Sequence, residues 1–212
     1  MNATSALDLA AHGPVIPVIV LQRVVDAVPV ARALLAGGVK VLEITLRTPV
    51  ALQCMRAIAD EVPEAIVGAG TVRSVADAKA ALDAGCRFGV SPGYSRDVGI
   101  ACRDIGLPLL PGVATASEVM AAHADGYGFL KFFPAMAAGG IPMLRALAGP
   151  FADVVFCPTG GITPQTAPQY LALPNVKVCG GSWLTPQDAV DSQEWARITQ
   201  LAHEASTLRA VA

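Results

Sequence analysis

Lys131 lies in the run Phe129-Leu130-Lys131-Phe132-Phe133-Pro134, an apolar and aromatic setting for a side chain that usually seeks water. Strand alternation puts Phe129, Lys131 and Phe133 on one face and Leu130 and Phe132 on the other. Either face works against the charged ammonium form. An amine that is partly neutral near pH 7 can attack a carbonyl and form a Schiff base. A snorkelling or ion-paired lysine leaves the same local pattern. Glu43, flanked by Leu42 and Ile44 within Val39–Arg47, is the second such residue. A carboxylate among branched aliphatics must be paired, protonated or functional. Alternation aims Glu43 and Arg47 at one face, so Glu43 is suited to shuttling protons and Arg47 to gripping a carboxylate with two prongs. A structural ion pair of Glu43 with Arg47 or with Lys131 is the plainer reading.

Three glycine-containing stretches add possible ligand contacts. Gly68-Ala69-Gly70-Thr71 offers glycines past which a ligand could approach the backbone, and a Thr71 hydroxyl able to bond a small acid; a tight turn is the alternative. Cys157-Pro158-Thr159-Gly160-Gly161-Ile162 and Cys179-Gly180-Gly181-Ser182 each carry paired glycines. Such pairs expose backbone N–H groups, and a helix start following each would add partial positive charge, so together they point to phosphate or another anion. Ser91-Pro92-Gly93 and Pro111-Gly112-Val113 read first as turn punctuation.

The elements that must position these residues alternate along the chain. Strand-like runs at Val15–Val20, Val39–Leu46, Ile66–Gly70, Arg87–Ser91, Leu107–Pro111, Gly128–Phe133, Val154–Cys157 and Val176–Cys179 are each followed by a helical pattern. Gly37-Gly38, Gly85 and Gly106 mark helix stops. Pro49 suits the first turn of a helix over Thr48–Val62, and Thr115 with Glu118 forms a capping-box pattern. The last helix is expected over Pro186–Leu208. Eight strand-plus-helix units with no intervening linker fit a closed (β/α)₈ TIM barrel over residues 1–212, one domain with a short N-terminal helix, better than an open doubly wound sheet. In such a barrel the strand ends collect the chemistry, and the loops after strands seven and eight are the usual phosphate site.

Composition narrows the function classes. The chain has 212 residues, 53% hydrophobic and 15% charged, with 15 Lys+Arg against 17 Asp+Glu and a net charge of −2. That balance gives no electrostatic footprint for nucleic acid. Mean hydropathy is +0.52, yet no run approaches the ~18 apolar residues of a spanning helix. Met1–Gly13 carries Asp8 and no basic cluster, so no signal peptide is expected. Cys54, Cys86, Cys102, Cys157 and Cys179 are irregularly spaced and odd in number, which suggests reduced thiols and a cytoplasmic protein.

The stretches LEITLRT (42–48), VGAGTV (67–72), FLKFFPA (129–135), GPFADVVFCPTGGI (149–162) and CGGSWL (179–184) resemble the bacterial 2-keto-3-deoxy-6-phosphogluconate (KDPG) aldolase family, which includes 4-hydroxy-2-oxoglutarate aldolases. The likeness runs from about Pro14 to Leu184 with the motifs in order. It implies a (β/α)₈ barrel, commonly trimeric, and a metal-free, cofactor-free Schiff-base aldolase of the Entner–Doudoroff pathway. By the same resemblance Lys131 forms the imine and Glu43 shuttles protons, while Arg47 and Thr71 hold the pyruvate carboxylate. Thr159 bears on stereochemistry, favouring the gluconate-derived epimer, and Gly160, Gly161, Gly180, Gly181 and Ser182 bind phosphate. The implied partners are a phosphorylated 2-keto acid and pyruvate, with 4-hydroxy-2-oxoglutarate as a second substrate and oxaloacetate decarboxylation as a side reaction. Two departures from the family pattern are Met136, where an acidic residue often follows KFFPA, and PGVATASE at 111–118.

Three other readings compete. A metal-dependent aldolase would need clustered His and carboxylates, but His12, His123 and His203 fall at no expected strand end. A phosphosugar isomerase or synthase would share the glycine loops and leave Lys131 without covalent chemistry. A non-catalytic protein could use the same pocket to hold an anion.

Overall fold

The computed structural model describes residues 6–208. The first five residues of Met1–Gly13, and the last four of the chain, lie outside the described residues. The strands are β1 (Val15–Ile19), β2 (Val41–Thr45), β3 (Ile66–Gly70), β4 (Phe88–Val90), β5 (Leu109–Leu110), β6 (Gly112–Val113), β7 (Phe129–Phe132), β8 (Val155–Pro158) and β9 (Cys179–Gly181). Between and after them run α1 (Ala27–Ala36), α2 (Ala51–Glu61), α3 (Val75–Asp83), α4 (Arg96–Asp104), α5 (Ala116–Ala124), α6 (Gly140–Ala148), α7 (Ala167–Leu171), α8 (Gln187–Asp191) and α9 (Trp195–Ser206).

All strand pairings are parallel. One sheet has the order β5-β4-β3-β2-β1-β9 and a second the order β6-β7-β8. Two features join them into a ring. β5 and β6 are one barrel strand interrupted at Pro111, which has no N–H to give a ladder but whose carbonyl accepts from the Lys131 N–H at 2.8 Å. On the other side, the isolated bridges Phe156↔Val176 and Thr159↔Gly180 tie β8 to β9. The result is the (β/α)₈ barrel.

Alternation sorts the side chains into two cores. Ile19, Leu42, Ile44, Val67, Leu130, Phe132 and Phe156 point outward beneath the helices. Ile16, Val41, Ile66, Phe88, Leu110, Phe129 and Val178 fill the barrel, and Leu9 from the 3-10 helix Ala6–His12 packs against them from below. Two residues further along their strands, Val41 and Phe129 give way to Glu43 and Lys131. The site therefore rests directly on an apolar floor.

The helix ends follow local rules. Gly38, Gly85 and Gly106 each take a positive φ, and the pairs Gly38 N–H to Leu35 and Val39 N–H to Leu34, with their counterparts at the other two, complete Schellman caps. The capping box forms as expected: the Thr115 hydroxyl accepts from the Glu118 N–H, and the Glu118 carboxylate accepts from the N–H groups of Ala114 and Thr115. These bonds, Ala114 first, hold the Glu118 carboxyl below its usual range.

Several boundaries differ from the sequence reading. α2 begins at Ala51, because the Thr48 hydroxyl donates to the Leu21 carbonyl at 2.7 Å and spends residues 48–50 in a turn. The expected Pro186–Leu208 helix is two helices, α8 and α9. Between them Gln193 sits at φ 56°, with Glu194 N–H bonded to Ala189 and Gln193 N–H to Val190. That is a Schellman cap built on glutamine, so no glycine announced it. α9 then packs on α1 so closely that a Cβ on Gly37 would lie 2.4 Å from Ala202 Cβ.

The two caps make opposite predictions. Gln193→Gly removes a side-chain penalty at positive φ, whereas Gly106→Ala adds one where nothing else lies within 4 Å. Urea denaturation should show the first variant stabilised and the second destabilised, each by about 1 kcal/mol.

Candidate active site

Lys131, on β7, and Glu43, on β2, meet inside the barrel at its C-terminal mouth. Lys131 Nζ donates to Glu43 Oε1 at 3.2 Å, and each side chain is only 4% exposed. Of the two ion pairs open from the pattern, Glu43 forms the one with Lys131. The Phe133 ring centroid lies 5.3 Å from Nζ, close enough for its π-face to favour the ammonium.

Glycines make the space. A Cβ on Gly70 would lie 2.4 Å from Glu43 Oε1, and one on Gly68 would lie 2.2 Å from Phe88 Cζ. Both glycines lie on β3, and their missing side chains leave room for Glu43 and Phe88. The sequence reading passed over Cys157. Register places it beside Lys131 on the neighbouring strand, and it is buried. Burial pushes its thiol up to about 12, against the pull of the Lys131 ammonium. It therefore lines the lysine stem as a neutral group. Counting in twos from Phe156 and Cys157 against Leu130 and Lys131 would have found it.

Arg47 and Thr71 lie at the rim. Arg47 is exposed, and its Nε donates to Thr71 Oγ1 at 3.2 Å. Thr71 holds φ 64°, a left-handed conformation that costs a β-branched residue on the order of 1–2 kcal/mol. The strain turns its hydroxyl toward Arg47 at the end of β3. Thr45, between Glu43 and Arg47, is occupied elsewhere: its hydroxyl donates to the Ile19 carbonyl.

The paired glycines differ from one another. Gly160 and Gly161 form a turn with φ of 103° and 76°. Gly180 and Gly181 are buried and belong to β9 itself, correcting their reading as a loop. A Cβ on Gly180 would lie 2.1 Å from Thr159 Oγ1, and one on Gly181 2.0 Å from the Trp183 ring. Their lack of side chains lets Thr159 and Trp183 pack against the strand. The Thr159↔Gly180 bridge sets the two stretches side by side, with Thr159 buried and Ser182 exposed.

Among the described residues, the N–H groups of Gly161, Ile162, Ser182 and Trp183 have no backbone acceptor. Donors left unpaired at adjacent strand ends can hold an anion. The helices do not add the expected dipole. α7 and α8 start at Ala167 and Gln187 and have five residues each, too far along and too short for a field confined to the first turn.

No group of three His, Cys, Asp or Glu side chains among the described residues could hold a metal ion, and no described helix is long and apolar enough to cross a membrane.

A buried lysine–glutamate pair at the C-terminal mouth of a (β/α)₈ barrel, flanked by an arginine and by backbone donors, defines a candidate carbonyl-chemistry site. The family model for KDPG and KHG aldolase matches residues 8–201. The chain is 51% identical over 202 residues to the KHG/KDPG aldolase of Escherichia coli, covering 95% of each. A KDPG aldolase of Legionella pneumophila, crystallised with pyruvate captured at low pH as a covalent carbinolamine intermediate, matches with TM-score 0.94 and 47% identity over 96% of this chain and 99% of its own. The 2-keto-3-deoxy-6-phosphogluconate aldolase of Zymomonas mobilis with 3-phosphoglycerate matches with TM-score 0.91 and 47% identity over 96% of each chain. The chain belongs to the KDPG/KHG aldolase family.

The Gly180–Thr159 fit can be tested without activity. Gly180→Ala should destabilise the protein by about 1–3 kcal/mol through overpacking. Adding Thr159→Ala should recover part of that loss in urea denaturation, because it removes the nearest atom.

Proposed function

We propose that this protein is a class I aldolase that cleaves 2-keto-3-deoxy-6-phosphogluconate to pyruvate and glyceraldehyde 3-phosphate through an imine on Lys131. The observation that carries the proposal is the buried 3.2 Å contact between Lys131 Nζ and Glu43 Oε1. Passage of a proton along that hydrogen bond leaves a neutral amine facing a carboxylic acid. The amine attacks C2 of the ketone, and the resulting carbinolamine loses its hydroxyl as water, with Glu43 placed to supply the proton. The protonated imine then accepts the electron pair of the breaking C3–C4 bond. Glu43, again a carboxylate, takes the C4 hydroxyl proton as the aldehyde leaves. Protonation of the enamine at C3 and hydrolysis release pyruvate and restore the amine.

Arg47 and Thr71 are assigned to the substrate carboxylate. Thr159 stands between the reacting carbons and the anion end. The Gly160–Gly161 turn and Ser182 are assigned to the phosphate, with the N–H groups of Gly161 and Ser182 as donors, and Gly180 and Gly181 support that cradle from within β9. The unpaired N–H groups there favour a phosphorylated substrate over 4-hydroxy-2-oxoglutarate, which we assign as a secondary substrate. They equally suit a phosphosugar isomerase or an anion-binding protein, which an imine trapped on Lys131 separates from an aldolase. A homotrimer in the cytoplasm belongs to the same proposal. The five cysteines, all unpaired and buried, suit a reducing compartment.

Borohydride reduction with saturating pyruvate, followed by peptide mass spectrometry, should give a reduced pyruvate adduct on Lys131. A folded protein that yields no adduct on any lysine would sink the mechanism. Lys131→Ala should abolish both adduct and turnover. Gly70→Ala should push the Glu43 carboxylate off Lys131 and lower kcat by about 10²-fold, the scale of a 1 Å misplacement, with KM changed less.

A further inference from the structure

Met136 follows the Lys131 strand and lies over the glycine turn. Its N–H donates to the Gly160 carbonyl at 3.1 Å. A Cβ on Gly161 would lie 2.8, 3.0 and 3.2 Å from Cβ, Cε and Sδ of Met136, so the thioether rests on the Gly161 backbone. The side chain is nonetheless 67% exposed. Solvent and the Gly161 N–H, which has no backbone acceptor, thus share one sulfur-containing neighbour.

The other sulfurs are differently placed. All five cysteines are buried, and burial raises the thiols of Cys54, Cys86, Cys102 and Cys157, so little thiolate is present near neutral pH. Met55 is fully buried. Met120, 63% exposed on α5, is the other highly accessible methionine among the described residues. Thioether oxidation needs no ionisation, only access.

We propose that Met136 is an oxidation site through which peroxide lowers the affinity of the enzyme for its phosphorylated substrate. The proposal rests on the phosphate assignment to the Gly160–Gly161 turn. The Met136 sulfur lone pair attacks one oxygen of hydrogen peroxide. An S–O bond forms as the O–O bond breaks, the sulfur loses two electrons, and the departing hydroxide takes the remaining proton to become water. The product sulfoxide has a strongly accepting oxygen where the thioether had almost none. Held against Gly161, that oxygen competes for the N–H donors the phosphate uses, and its dipole opposes a dianion. Lys131 and Glu43 are buried in the barrel below, so imine formation with pyruvate is untouched.

The experiment treats the full-length protein with hydrogen peroxide, quantifies each methionine sulfoxide by peptide mass spectrometry, and measures aldol cleavage and borohydride trapping of pyruvate. As Met136 sulfoxide accumulates, KM for the phosphorylated keto acid should rise about tenfold, the loss of one hydrogen bond to a charged group. Pyruvate trapping on Lys131 should stay constant, and methionine sulfoxide reductase should reverse the change. Met136→Leu should remove the peroxide response, and Met120→Leu should retain it. Stoichiometric Met136 sulfoxide with unchanged KM would overturn the proposal while leaving the aldolase reading intact. Failure of the untreated protein to trap pyruvate or to cleave the phosphorylated substrate would overturn the reading beneath it, and this proposal too.

Discussion

The burial of an ammonium and a carboxylate together inside the barrel is the constraint around which the mouth of this protein is organised. Two charges removed from water are tolerable only when each supplies what the other lost, in a geometry that does not drift. Here the partners come from β2 and β7, 88 residues apart in sequence, so the closed barrel itself holds the distance. The floor of Val41, Phe88, Leu110 and Phe129 prevents either side chain from sinking. Gly70 leaves Glu43 room for its carboxylate, and Phe133 covers Lys131 from the side. Dense packing of this kind resists drift, which the proposed proton transfer between the two would require.

The site divides into a buried part made of side chains on strands and a rim made of strand ends and loops. In the proposed reaction the buried part carries the chemistry, and the rim meets the ends of the substrate. Thr71 shows the rim carrying strain: a β-branched residue at φ 64° is kept where glycine would be easier, and its hydroxyl meets Arg47. Binding at the rim, remote from the reacting carbons, can then be used to orient them.

Much of this was legible in the sequence because the governing patterns are short. Apolar surroundings singled out Lys131 and Glu43, glycines at Gly38, Gly85 and Gly106 marked helix ends, and Thr115 with Glu118 announced its cap. The parts that were not legible depend on pairing across the sheet or on exceptions to local rules. Gly180 and Gly181 look like a turn, and only the register against β1 and Thr159 shows them as strand. Gln193 performs a glycine's task and hid the break between α8 and α9. Cys157 carries no local signal, and its importance comes wholly from standing beside Lys131.

The charge arrangement of the site also bears on how it handles its proposed substrate. Lys131 and Glu43 cancel, and Arg47 adds one positive charge at the rim. The chain has no Lys or Arg between Arg145 and Lys177, nor between Lys177 and Arg197, so the loops after β8 and β9 contribute no cation of their own. A phosphate bound there must be met by dipoles. Backbone N–H groups fixed by strand ends are already oriented, lose no side-chain entropy on binding, and favour the shape of a tetrahedral anion. A lysine in that position would add attraction for any anion, including the carboxylate end of the same substrate, and would permit it to bind reversed. With the guanidinium on β2's side of the rim and only dipoles at β8 and β9, the two ends of the proposed substrate would be told apart. Under the proposed assignment, that orientation sets C2 against the Lys131 amine.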